Sequence, residues 1–150
     1  ESIGKKTFIN IELTNYESIR DDLPDKVVKL IQKHDLAQRI LFSSFNPLAL
    51  RRARRLLPEV PIGLLAQPGS KGAWARSFLG RWIVPYQALH PELGNTNSTL
   101  IHRHHKRGER VYTYTVNDHD DLRRLFKMGI DGVITDDPPL ALQIRDQVFS

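Results

Sequence analysis

The chain has 150 residues, 40% of them apolar, which is enough to build one hydrophobic core, and it has no cysteine. Lack of cysteine excludes a disulfide scaffold, a thiolate zinc site and a cysteine nucleophile without fixing the compartment, and no apolar run reaches the roughly 18–20 residues that span a bilayer. The formal charge of +5 comes from two runs, Arg51-Arg52-Ala53-Arg54-Arg55 and His102-Arg103-His104-His105-Lys106-Arg107, a pattern that usually marks solvated helix faces. Residues Glu1–Lys6 carry neither an apolar signal region nor an initiator Met, so a cut or processed end is expected there.

Residues 7–13 alternate as a strand does, with Ile9, Ile11 and Leu13 on one face and Phe8, Asn10 and Glu12 on the other. Asp22 offers a helix cap, Pro24 suits an early helical position, and Val27, Val28, Leu30 and Ile31 supply the apolar stripe. Ile40-Leu41-Phe42 predicts a second strand ending in Ser43-Ser44-Phe45-Asn46. A helix follows from Pro47 to about Leu57. Pro61–Leu65 predicts a third strand, followed by a weak, Gly-interrupted helix near 70–80 and a poor strand over 82–86, where Pro85 argues against a central position. A helix over Ser98–Arg107 stops at Gly108. Residues 110–116 give the clearest strand, Asn117-Asp118 a cap, and the following helix ends at Met128-Gly129. Gly132–Thr135 is the last strand, and Asp136-Asp137-Pro138 opens the last helix.

This makes six β/α units at spacings of about 20–30 residues, the rhythm of a parallel sheet covered by helices. Polar residues collect where strands end: Glu12 and Thr14, Ser43 and Ser44, Thr115 and Asn117, Thr135 and Asp136. In a barrel those ends share one mouth, where such enzymes place their sites. No glycine-rich phosphate loop follows any strand, which weakens an open-sheet nucleotide fold.

Four segments, in order, resemble the glycerophosphodiester phosphodiesterase family. Ile9-Asn10-Ile11-Glu12-Leu13 is similar to its third-strand motif, and Phe42-Ser43-Ser44-Phe45-Asn46 to the end of its fourth strand. Val111-Tyr112-Thr113-Tyr114-Thr115-Val116-Asn117 resembles its seventh-strand motif, and Gly129–Pro138 its eighth. The resemblance implies an α/β fold, a TIM (β/α)8 barrel present from strand three to strand eight. Residues 1–150 would then be the barrel domain without its first two β/α units, which in the family hold the catalytic histidines and two metal-binding acids.

The implied activity is metal-dependent hydrolysis of glycerophosphodiesters to sn-glycerol 3-phosphate and an alcohol, with a lysolipid substrate left open by the related phospholipase D toxins. The resemblance makes Glu12 a ligand for Mg²⁺ or Ca²⁺, cations that prefer hard oxygen donors. Thr14 stands where the family usually has Lys, and supplies a hydroxyl but no charge to a phosphate. Tyr114 replaces the usual Trp as an aromatic wall, and Asn117 orients substrate, caps the next helix, or does both. A small-molecule diester is the expected partner, without nucleic acid and without a transmembrane segment. The 150-residue piece alone is expected to be inactive and to self-associate through strand edges.

Ser43 and Ser44 read as structural hydroxyls, because no nucleophile elbow surrounds them. Asp131 and Asp136 read as turn and cap residues, His102, His104 and His105 as part of a solvated basic face, and His90 as a residue near the mouth. The rival reading is a non-catalytic basic module or degenerate barrel whose Arg51–Arg55 helix binds anionic lipid or nucleic acid.

Overall fold

The computed structural model describes residues 7–14 and 21–150, so Glu1–Lys6 lies outside the described residues. Among the described residues six strands alternate with six α-helices: β1 (Ile9–Glu12), α1 (Leu23–Lys33), β2 (Ile40–Ser44), α2 (Pro47–Leu56), β3 (Ile62–Ala66), α3 (Phe78–Ile83), β4 (Ala88–Pro91), α4 (Ser98–His105), β5 (Arg110–Thr113), α5 (His119–Lys127), β6 (Gly132–Val133) and α6 (Pro138–Phe149). The strands form one sheet in chain order, and each neighbouring pair is parallel. Asn10 of β1, His90 of β4, Tyr112 of β5 and Ile134 beyond β6 line one cavity of about 510 Å³, so the sheet curls and its inner face is concave. The architecture is part of a TIM barrel.

Alternation along each strand decides what each face holds. Leu13, Phe42, Leu64, Leu89 and Val111 point outward and join Val28, Ile31, Leu50, Ile101, Leu122 and Ile144 from the helices in one buried core. Burying such a side chain stabilises by about 1.5–3 kcal/mol, so this outer layer fixes the fold. Ile9 and Ile11 pack against the same core, as their spacing predicts, which turns Asn10 and Glu12 to the concave side.

Side-chain caps set most helix starts. Asn46, Ser77, Asn97, Asp118 and Asp137 each accept from backbone N–H groups one turn in, and such a cap contributes about 1 kcal/mol. Gly108 and Gly129 adopt positive φ just after α4 and α5, the conformation that closes those helices.

Three sequence expectations need correction. No strand forms over 82–86: Ser77 caps a helix that runs to Ile83, Pro85 has no N–H for a ladder, and the fourth strand lies at Ala88–Pro91. Asp22 does not cap α1 through its side chain, because its carboxylate pairs with Lys26 2.9 Å away. Asp118, not Asn117, caps α5.

Candidate functional site

The concave face brings together side chains from all six units. Glu12 closes β1 opposite Ser43 of β2, which itself lies opposite Gly63 of β3. His90 of β4 reaches back over Gly63: a Cβ at that glycine would stand 2.4 Å from its Nε2 and 3.0 Å from its Cδ2. Glycine is what lets the ring lie flat against the sheet here. Tyr112 closes the other side, edge-on to His90 with ring centroids 5.4 Å apart.

This floor is polar yet starved of partners. His90 is 1% exposed, and among the described residues neither of its ring nitrogens nor the buried Ser43 hydroxyl has a hydrogen-bond partner. Burial alone pushes the His90 pKa down to about 4, so the ring is neutral at pH 7. The sequence flagged His90 only as lying near the mouth and read Ser43 as structural. The neighbouring Ser44 does play that structural part, donating to Leu13 O (2.6 Å) and accepting from Asn46 N (3.0 Å).

Above the floor, Tyr114 donates its hydroxyl to Ala66 O at 2.8 Å and stands edge-on to Phe45 at 6.0 Å. Burial, then the negative charges of Glu92 and Glu12, push its pKa up to about 12, with Arg76 working weakly the other way. Both carboxylates therefore lie within electrostatic reach of one phenol, and β1 and β5 serve the same mouth. Sequence reasoning missed Glu92. It follows β4 with the same parity as His90, and misplacing that strand at 82–86 hid the pattern. Arg76 pins the loop after β3 by donating to Gln67 O (2.8 Å) and Gly69 O (2.6 Å).

Thr14 lies exposed just past β1. Asn117 is committed to the strand ends: its Oδ1 accepts from Asp136 N (3.0 Å) and Thr135 Oγ1 (3.1 Å), and its Nδ2 donates to Asp136 Oδ2 (2.7 Å). Asp131 locks the opposite end of the same pair. It accepts from Arg110 Nη1 (2.7 Å) and Val111 N (2.8 Å), and His105 Nε2 stands 2.6 Å away. Burial opposes ionisation of Asp131, but these bonds outweigh it and hold its pKa below the usual carboxylate range. His105 is thereby engaged rather than merely solvated. His104 is not solvated at all: it turns inward and is buried against Glu109, which also meets Arg81, and burial more than offsets the Glu109 contact to lower the His104 pKa.

Among the described residues no group of three metal-binding side chains converges. Glu12 supplies one hard oxygen donor at the mouth, which fits one ligand of a Mg²⁺ or Ca²⁺ site but not a whole shell.

Comparison with known proteins identifies the family and the fold. A relative from Caldanaerobacter subterraneus subsp. tengcongensis, a glycerophosphodiester phosphodiesterase, is 32% identical over 145 residues, 96% of this chain and 58% of its own length. A solved Oleispira antarctica phosphodiesterase in complex with the product sn-glycerol-3-phosphate is 26% identical with a TM-score of 0.78, over 93% of this chain and 55% of that one. A crystal structure from Silicibacter pomeroyi DSS-3, 23% identical, shares the fold at a TM-score of 0.84 over 95% of this chain and 51% of that one. The chain thus spans between half and three-fifths of the length of these proteins. The profile of the Glycerophosphoryl diester phosphodiesterase family matches residues 1–140, and the chain belongs to that family.

Proposed function

We propose that this chain forms the strand-three-to-eight part of a metal-dependent diesterase that cleaves glycerophosphodiesters to sn-glycerol 3-phosphate and an alcohol. The observation that carries the reading is Glu12, a concave-face carboxylate at a strand end within electrostatic reach of Tyr114. In this proposal Glu12 would hold a Mg²⁺ or Ca²⁺ ion, which neutralises phosphodiester charge when bound. Thr14 donates a hydroxyl toward the phosphate. Tyr114, its hydroxyl already engaged, offers its ring as a wall, while Asn117 shapes the rim through Thr135 and Asp136.

The chain contributes only part of the chemistry under this reading. Among the described residues the buried mouth-side imidazole is His90, held neutral with no exposed nitrogen, a poor proton exchanger with substrate. The 150-residue chain alone is therefore expected to be silent on glycerophosphocholine. Among the described strands β1 and β6 have one neighbour each, so self-association through these edges is expected too. Light scattering that returns a 17.2 kDa monomer would refute the association.

Activity is tested by joining the segment of the Caldanaerobacter relative outside the match to this chain and assaying glycerol 3-phosphate release from glycerophosphocholine. Turnover that EDTA abolishes and Mg²⁺ or Ca²⁺ restores is the expected result. A folded chimera without turnover, or with turnover indifferent to EDTA, contradicts the proposal. In the same chimera Thr14→Lys should tighten glycerol 3-phosphate binding in calorimetry; unchanged affinity would mean Thr14 does not face the site.

A further inference from the structure

The charge of this chain is strongly segregated. Residues 36–108 hold eleven Lys and Arg against only Glu59 and Glu92, a net of +9, so the rest of the chain nets −4. Neither acid offsets the outer helical surface. Glu59 lines the concave cavity, and Glu92 stands within reach of Tyr114 at the mouth. On the outer surface Arg51 and Arg55 of α2 are exposed, as are Arg103 of α4 and Lys106 and Arg107 at its end.

Helix α3 lies between these two basic helices. Arg54 of α2 donates to Pro85 O just after α3, Arg103 of α4 donates to Arg76 O just before it at 2.9 Å, and Arg81 of α3 pairs with Glu109 beyond α4. A surface helix normally turns its large apolar residues inward. This one does the reverse. Its buried residue is Gly80, where a Cβ would stand 2.4 Å from Ala75 O, so α3 seats itself on a glycine. Phe78, Leu79 and Trp82 are left 69%, 47% and 75% exposed. Single exposed apolar residues need no explanation, but three on one six-residue helix form a patch.

We propose that the α2–α3–α4 face is a docking surface for an anionic phospholipid bilayer. Phe78, Leu79 and Trp82 enter the interface, and Arg51 and Arg55 of α2 meet the headgroups with Arg103, Lys106 and Arg107 at the end of α4, while Arg52 stays paired with Asp25 of α1. Trp favours the interfacial depth, and each cation near an anionic leaflet adds attraction. A second copy of this chain is disfavoured as occupant, because it would bring the same positive surface against itself. A nucleic acid would satisfy the charge but leaves the aliphatic Leu79 and an apolar helix face without a partner. Among the described residues no helix is long and apolar enough to cross a membrane, so the protein would lie on the surface. The proposal is independent of catalysis.

The test is vesicle flotation with the 150-residue chain, comparing phosphatidylcholine alone with phosphatidylcholine containing phosphatidylglycerol. Binding is expected only to the anionic vesicles, with brominated-lipid quenching that disappears in Trp82→Ser. Arg51→Gln with Arg55→Gln should weaken partitioning about 30-fold, from about 1 kcal/mol per cation. Phe78→Ser with Trp82→Ser should weaken it about 10-fold or more with the charge untouched, because apolar insertion is lost. Circular dichroism checks that each variant folds; these side chains are exposed, so all should. No binding to anionic vesicles overturns the proposal. So does binding that Phe78→Ser with Trp82→Ser leaves unchanged, or equal binding to a polyuridine competitor, since either makes the face a general polyanion site.

Discussion

Two adjacent serines on β2 separate two kinds of polar residue in this half-barrel. Ser44 faces the helices and spends its hydroxyl on Leu13 O and Asn46 N, while Ser43 faces the concave side and has no partner among the described residues. The same contrast holds on a larger scale. The β5–β6 end is tied by Asp131 and Asn117, each making three polar contacts, whereas the β2–β4 floor buries Ser43 and His90 unsatisfied. A buried polar group with partners locks structure, and one without costs stability and is retained for another reason. Here Ser43 lies opposite Glu12, and His90 shares its face of the sheet, the side that carries the proposed site.

The largest expected effect falls on the satisfied end. Asp131→Ala should destabilise by about 3 kcal/mol in urea unfolding, because it strands the Val111 N–H and removes a partner from both Arg110 and His105. A loss below about 1 kcal/mol would mean that the lock is cosmetic. Next comes pH. With its folded pKa near 4 against an ordinary 6.5, His90 binds its proton in the unfolded chain first. Stability from this group is full above pH 6.5 and falls as pH drops toward 4, by about 3 kcal/mol in total. His90→Phe should remove most of that loss between pH 7 and 4.5, and an unchanged acid slope would contradict a neutral, buried His90.

Gly63→Ala should cost about 2 kcal/mol by driving a methyl into the His90 ring, and His90→Ala in the same chain should restore part of it. Purely additive losses would show that the two do not touch. The smallest pair sharpens the comparison most finely. Ser44→Ala should cost about 1 kcal/mol, and Ser43→Ala should be neutral within about 0.5 kcal/mol. Equal costs would erase the distinction.

How much of this the sequence disclosed follows from the range of the forces involved. Alternation in Ile9–Leu13 and the Asp118 cap are local, and the structure bears them out. The 82–86 strand failed because Trp82 and Ile83 look β-prone in isolation, while Ser77 had already committed them to a helix. Glu12 was legible as a concave-face carboxylate because its own strand announces its faces. The His90–Gly63 contact was not, since it joins residues of two strands and depends on a missing Cβ. Glu92 was lost with the misplaced strand, and the Asp131 lock because Arg110, Val111 and His105 come to it from other elements. The charge segregation was countable from the start, but its meaning waited for α3 to turn Phe78 and Trp82 outward.

The central claim is that Glu12 carries the metal of a diesterase mouth, and one substitution tests it. Glu12→Gln in the chimera keeps the side-chain shape and removes the charge. Initial rates on glycerophosphocholine should then be measured against Mg²⁺ and Ca²⁺ concentration. The account predicts a fall in kcat/KM of about 100-fold or more, with the metal requirement displaced to higher concentration. Turnover equal to that of the Glu12 chimera, at the same metal dependence and with the fold intact, would contradict it.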